Sequence, residues 1–227
     1  MSFQWHKECA KKWDSMSSNW QANSQEMWET GSRKTILTAL TGLVTKGPIL
    51  DAGCGDGYGS RKLAEMGYPV VGVDLSEEMI LSAQGKLSPQ LDLSFIQGDI
   101  LNLPYPKESF QGIMAVNIIE WTQSPQQTLE TFRTLLKPDG VLALGVLGPT
   151  AAPRQHSYAR LHGQDVVCNT MMPWECERLL DETSLTILHQ EGVYKRGVTE
   201  EMTNTLSREL CQSLSFLWMF YISPIQK

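Results

Sequence analysis

Two kinds of residue in the first third of the chain could do chemistry together: glycines that let a ligand approach the backbone, and carboxylates able to bind it. In Asp51-Ala52-Gly53-Cys54-Gly55-Asp56-Gly57 the glycines alternate with other residues, after an apolar run that begins at Ile49. Glycine permits a positive φ and removes the Cβ that would hold a ligand away. Residues 58–66 have helical composition, and a second apolar run from Pro69 to Val73 ends at Asp74. Strand, glycine turn, helix, strand and acid make a βαβ unit of the kind that holds a nucleotide-like ligand at its turn. Asp74 falls 74 − 55 = 19 residues after Gly55. A carboxylate about 20 residues on accepts the ribose hydroxyls in such units.

The glycine register narrows the ligand. A dinucleotide turn needs G-x-G-x-x-G, yet the third glycine slot holds Tyr58 counted from Gly53 and Ser60 counted from Gly55. Asp51 and Asp56, in or beside the turn, would repel a pyrophosphate. No G-K-[ST] follows, which excludes a P-loop. A ligand with a ribose, a cationic centre and no phosphate suits this loop, and S-adenosylmethionine is such a ligand.

Asp51 to Gly57 resembles the first motif of class I S-adenosylmethionine-dependent methyltransferases, of the ubiquinone-biosynthesis type common in bacterial small-molecule methylation. The likeness continues in order. Val70 to Met79 resembles the second strand and the start of its helix, and Phe95 to Ile100 with Leu103-Pro104 resembles the adenine-binding turn. Phe110 to Asn117 resembles strand four, and Leu136 to Leu142 the entry into strand five. Together these span residues 47–148. The resemblance implies an α/β fold: a Rossmann-like, doubly wound, seven-stranded sheet, mostly parallel with an antiparallel last strand and helices on both faces. It implies transfer of a methyl group from S-adenosylmethionine to a small molecule by in-line displacement, with S-adenosylhomocysteine as product.

It also implies a set of cofactor-binding residues. Asp51 accepts from the glycine turn and lies near the methionine ammonium, with Gly53, Cys54, Gly55 and Gly57 forming the turn. Asp74 accepts from both ribose hydroxyls, and Leu75 and Met79 wall the adenine. Asp99 accepts from the adenine amino group with Ile100 alongside, and Asn117 lies beneath the methionine portion. Arg33 meets the cofactor carboxylate. Trp13, of the Trp13-Asp14 pair, closes over the cofactor where relatives carry tyrosine.

Bulk properties exclude other classes. The net charge of −6 and pI near 5.3 argue against a phosphate-backbone partner, which needs a basic face. Asn117-Ile118-Ile119-Glu120 also lacks the prolines and stacking aromatic with which the nucleic-acid branch of the family holds a flipped base. Five scattered cysteines without C-x-x-C fit free thiols in a reducing cytosol. His156, His162, Cys168 and Cys176 match no zinc spacing, so no metal is expected. No run approaches the ~20 apolar residues of a membrane span, and the N-terminus lacks a signal-peptide core. The expectation is a cytoplasmic protein, monomeric or homodimeric, with no nucleic-acid or membrane partner.

Organisation is read from periodicity. Residues 1–45 read as a helical cap, 46–148 as the cofactor-binding core, and 149–227 as a substrate-side loop or lid with the last strands of the same domain. Trp5, Trp13, Trp20 and Trp28 are spaced for one helical face, which predicts one or two amphipathic helices. Ser32 to Val44 reads as a helix with Ile36, Leu37, Leu40 and Leu43 inward. Residues 149–172 have little periodicity, the mark of a functional loop. Helices are predicted over 173–182 and 199–212, and strands over 185–194 and 213–222. Candidate general bases lie in the loop: His156, Tyr158 and His162. Trp121 and Trp174 are candidate walls for an apolar acceptor. Two alternatives stand beside methyl transfer: an S-adenosylmethionine-binding sensor or scaffold without turnover, and a nicotinamide-dependent oxidoreductase, which the broken glycine register disfavours. The acceptor, the atom methylated and the use of a base stay open.

Overall fold

Seven strands pair into one sheet in the computed structural model, which describes residues 3–224. They are β1 Ile49–Ala52, β2 Val70–Asp74, β3 Leu93–Gln97, β4 Phe110–Val116, β5 Leu136–Leu147, β6 Leu185–Tyr194 and β7 Ser215–Pro224. The order is β3-β2-β1-β4-β5-β7-β6. Pairing is parallel except around β7, which runs antiparallel to both β5 and β6. The chain moves outward from β1 through β2 to β3, then returns to add β4 on the other side. The carboxyl ends of β1 and β4 therefore splay around the crevice where open α/β sheets bind ligands.

Two apolar cores flank the sheet because successive strand residues face opposite sides. On β7, Trp218, Phe220 and Ile222 join one core and Leu217, Met219 and Tyr221 the other. The first core is covered by α5 Pro125–Leu135, α6 Pro173–Glu182 and α8 Arg208–Leu214, through Leu129, Phe132, Leu180 and Cys211. The second is covered by α2 Ile36–Leu43 and α3 Tyr58–Glu65, through Ile36, Leu40 and Leu63. The remaining helices are α1 Trp5–Glu29, α4 Glu77–Gln84 and the single turn α7 Glu200–Thr203. No helix among the described residues is long and apolar enough to cross a membrane.

Several boundaries differ from the sequence reading for local reasons. The tryptophan-rich segment is one continuous helix, α1. Leu43 is exposed and Val44 is buried in its place, since the chain has left α2 and become extended at Val44. The helix expected over 199–212 is split in two. Ser207 adopts an extended conformation and caps a new helix by accepting from the Leu210 amide, as Thr199 does for Met202. The helix α8 then runs to Leu214, so the last strand begins at Ser215. Residues 152–162 wind into 3-10 turns. Buried Arg154 fastens this segment by donating to the carbonyls of Leu147, Gly148, Thr170 and Met171.

Candidate active site

A cleft of about 740 Å³ opens where β1, β2 and β4 end. Its floor is the turn after β1. Gly53 and Gly55 hold φ values of +70° and +55°, a region that strains residues with a Cβ. A Cβ would also lie 2.5 Å from Ile118 Cδ1 at Gly53 and 2.9 Å from Trp20 Nε1 at Gly55. The amides of Gly53 and Cys54 donate to the Val73 carbonyl. The Gly55 amide donates to Asp74 Oδ2 at 2.9 Å, and the Ser76 amide to Asp74 Oδ1 at 2.9 Å. Burial pushes the Asp74 carboxyl above its ordinary range, against those amide bonds.

Beyond Asp74, the wall passes through Leu75 and Met79 to Gly98, Asp99, Ile100 and Leu101. Asp99 accepts from the Leu101 amide and from Asn102 Nδ2, both at 3.0 Å. Opposite lie Val116, Asn117 and Ile118 at the end of β4, then Trp121 and Thr122. Asn117 has a φ of +60°. The roof is α1, which supplies His6, Cys9, Trp13 and Trp20. Trp13 meets Trp20 and Trp121 edge to face, with ring centroids 5.5 and 5.0 Å away. The helix is fastened by polar contacts: Trp5 Nε1 to the Trp121 carbonyl at 2.7 Å, Ser76 Oγ to Asp14 Oδ1 at 2.6 Å, and Ser24 Oγ to Asp56 Oδ1 at 2.7 Å.

Residues 50–144, the strands and turns that build this cleft, match the family described as "Methyltransferase domain". Over this segment the chain is similar to methyltransferases. Among curated relatives, a malonyl-[acyl-carrier protein] O-methyltransferase of Halalkalibacterium halodurans is 28% identical over 179 residues, 70% of this chain and 64% of that protein. The methyltransferase YqeM of Bacillus subtilis is 36% identical over 108 residues, 46% of this chain and 44% of that protein. The alignments thus span less than two thirds of either relative. Among solved structures, a chain from the complex between the Haloferax volcanii Trm112 methyltransferase activator and a methyltransferase superposes with a TM-score of 0.74 at 20% identity, covering 96% of this chain and 99% of that one. An S-adenosylmethionine-dependent methyltransferase from Mesorhizobium loti gives 0.66 at 20% identity, covering 86% and 99%. At these identities the structural likeness is one of fold.

The fold brings nine of the thirteen expected cofactor residues to the cleft: Trp13, Gly53, Gly55, Asp74, Leu75, Met79, Asp99, Ile100 and Asn117. The other four lie behind it. Asp51 does not accept from the glycine turn, where the Gly53 and Cys54 amides donate to Val73, Gly55 to Asp74 and Gly57 to Cys54. It accepts from Ser60 Oγ instead and is buried. Burial pushes its pKa to about 7, opposed by Ser60 and Arg33. The Arg33 guanidinium, 5% exposed, is layered on Trp20 and Trp28 at 4.7 and 5.2 Å. Burial lowers its pKa to about 10, opposed by Asp51 and Asp56. Cys54 is buried with its thiol donating to the Gly55 carbonyl. Gly57, at φ +75°, starts α3 against Phe95.

None of the three candidate bases lines the cleft. His156 sits beside Trp121, ring centroids 5.9 Å apart, with its pKa lowered by burial. Tyr158 is 62% exposed and pairs edge-on with His162. Trp121 does form a wall, whereas Trp174 stands partly exposed elsewhere. His6, Cys9 and Trp20 were missed as site residues. With Trp13 they stand at positions 6, 9, 13 and 20, whose spacings of 3, 4 and 7 mark one stripe of a helix. No metal-binding cluster occurs among the described residues, and all five cysteines are free and buried.

Proposed function

We propose that the protein transfers a methyl group from S-adenosylmethionine to a small-molecule acceptor by in-line displacement. One observation carries the reading: Asp74 ends β2 with its carboxylate fixed by the Gly55 and Ser76 amides, on the wall of a cleft floored by positive-φ glycines. A carboxylate so held, beside backbone that a ligand can approach closely, supports a ribose-binding role for Asp74. The cleft also leaves polar atoms for bound molecules, cofactor or acceptor, to satisfy. Buried polar atoms without partners include Asn117 Oδ1 and Trp121 Nε1, both on cleft residues, and Arg33 Nη2 behind Trp20. Such atoms are rare in folded proteins, and their gathering at one site calls for a ligand.

When bound, S-adenosylmethionine supplies an electrophilic methyl group on a sulfonium. Asp74 would hold the ribose, Leu75 and Met79 the adenine ring face, and Asp99 with Ile100 its polar edge. Gly53, Gly55 and Asn117 would lie under the methionine portion. Asp51 and Arg33 act from behind: Arg33 holds the Trp20 indole against Gly55, and Asp51 anchors α3 through Ser60. The roof of α1 excludes water and aligns the acceptor, and such positioning can supply roughly 7–11 kcal/mol of the barrier.

Calorimetric titration with S-adenosylmethionine, S-adenosylhomocysteine and NAD tests the reading. Binding of the first two alone is the expected result. Binding of NAD alone would support an oxidoreductase instead. Tight S-adenosylmethionine binding with no methylated product from any acceptor would favour the sensor.

A further inference from the structure

The acceptor end of the cleft has a chemical character of its own, and assigning an acceptor class to it rests on the cleft being the S-adenosylmethionine site. Among the described residues that line it there is no lysine or arginine; the charged side chains are Asp74 and Asp99. An anionic acceptor would enter a half-enclosed site beside two carboxylates without a cation from the protein to pair it. Nor is a base placed to ionise an alcohol or phenol. His6 stands at the adenine end of the cleft, its Nδ1 3.5 Å from Asp99 Oδ2, away from Asn117, and burial pushes the Cys9 thiol up to about 12. What the walls offer is a carbonyl oxygen and indole. Asn117 Oδ1 is buried without a partner, and Trp13 and Trp121, ring centroids 5.0 Å apart, line the same cleft.

We propose that the acceptor is an uncharged amine whose N–H is taken by Asn117 Oδ1, with Trp13 and Trp121 walling the positive charge that methylation creates on its nitrogen. The nitrogen lone pair forms the new C–N bond, and the C–S bond breaks with its electrons remaining on sulfur. The unit of charge carried by the sulfonium passes to the amine, which sheds a proton to water if one remains. Positive charge is conserved through the transfer, so indole faces and nearby carboxylates favour both sides of the reaction. The unpartnered Trp121 Nε1 adds one requirement, a lone-pair atom on the body of the acceptor.

The test titrates protein saturated with S-adenosylhomocysteine with three one-ring probes: benzyltrimethylammonium, benzyl methyl ether and phenylacetate. The cation is expected to bind about five- to thirtyfold tighter than the ether, and phenylacetate most weakly. Trp121→Leu is expected to bring the cation down to the ether, whereas Trp121→Phe retains most of the preference. Asn117→Leu should weaken N-methylaniline, which is uncharged at neutral pH and has one N–H, about tenfold while changing benzyltrimethylammonium, which has no N–H, by less than about twofold. Equal affinity for cation and ether, preference for the carboxylate, or no probe bound overturns the amine assignment alone. Failure of S-adenosylhomocysteine itself to bind, read in the preceding titration, overturns the cofactor reading instead.

Discussion

The two strand-end acids, Asp51 and Asp74, look alike in sequence and differ in placement, one behind the glycine turn and the other on the cleft wall. Asp74 faces the cleft with both oxygens oriented by amides, so its free lone pairs are aimed before any ligand arrives. Asp74→Asn keeps an oxygen for the Gly55 amide but loses the charge-assisted pair to a ribose. S-adenosylmethionine affinity should then fall about a hundredfold, measured by calorimetry, and an affinity within about twofold of wild type would remove the ribose assignment. Glu120 shows the opposite use of a carboxyl. It is fully buried beside the cleft, accepts from the Leu147 amide and feels the charge of Arg154. Burial raises its pKa from 4.5 to about 6. Between those values the folded protein keeps a proton that the unfolded chain has lost. The stabilising contribution is therefore complete below the unfolded value and is lost as pH rises through about 6. Glu120→Gln removes this dependence. Relative to wild type, the variant should gain about 2 kcal/mol between acidic and neutral pH, read from urea midpoints across that window. A constant difference would place the Glu120 pKa in the ordinary range.

At the scale of elements, α1 is the unusual part. Only Cys9, Ser17, Ser24 and Trp28 of its residues are buried, and Trp5 and Trp13 pack half-buried against Trp121 and its neighbours, so apolar burial holds it along one stripe only. The hydrogen bonds of Trp5, Asp14 and Ser24 add to that stripe. The double variant Asp14→Ala, Ser24→Ala removes two of these and should lower the opening free energy of α1 by about 2–4 kcal/mol. Amide exchange would report it as faster exchange across α1 with the protection of β4 and β5 unchanged, and uniform loss of protection would show that α1 is integral to the core. The sheet half of this molecule was legible because its signals are local: glycines at fixed offsets, an acid at the end of an apolar run, strands of period two. The roof was legible only as a tryptophan stripe. Which cleft it covers is settled by Ser76, Asp56 and the Trp121 carbonyl, partners 32 to 116 residues away, and no local pattern encodes them. Likewise Asp51 reads as a turn acid until Val73 and Asp74 take the turn's amides. His156, Tyr158 and His162 are chemically able, yet Arg154 winds their segment past the cleft instead of over it.

At the scale of the whole molecule, the cofactor half and the last two strands are stabilised by the same two cores. All six residues from Leu142 to Leu147 pair with β7, and β7 in turn carries Phe220 and Tyr221, both fully buried, one in each core. Cutting after residue 148 would leave β5 as an unpaired edge whose residues 140–147 are all buried in the full chain. Such an edge is long, apolar and uncharged, the features that lead to aggregation rather than to a smaller fold. It would also strip the β7 contribution from both cores, where loss of a single large aromatic side chain costs about 3–5 kcal/mol, against a typical total stability of about 5–15 kcal/mol. Fragment 1–148, although it contains every expected cofactor residue, should therefore be unfolded or aggregated and should not bind S-adenosylhomocysteine. Circular dichroism and calorimetry on the fragment, beside the full chain, check this directly. A monomeric fragment with a cooperative urea transition and S-adenosylhomocysteine affinity would instead make residues 1–148 an autonomous domain, with the β6–β7 hairpin an accessory to it.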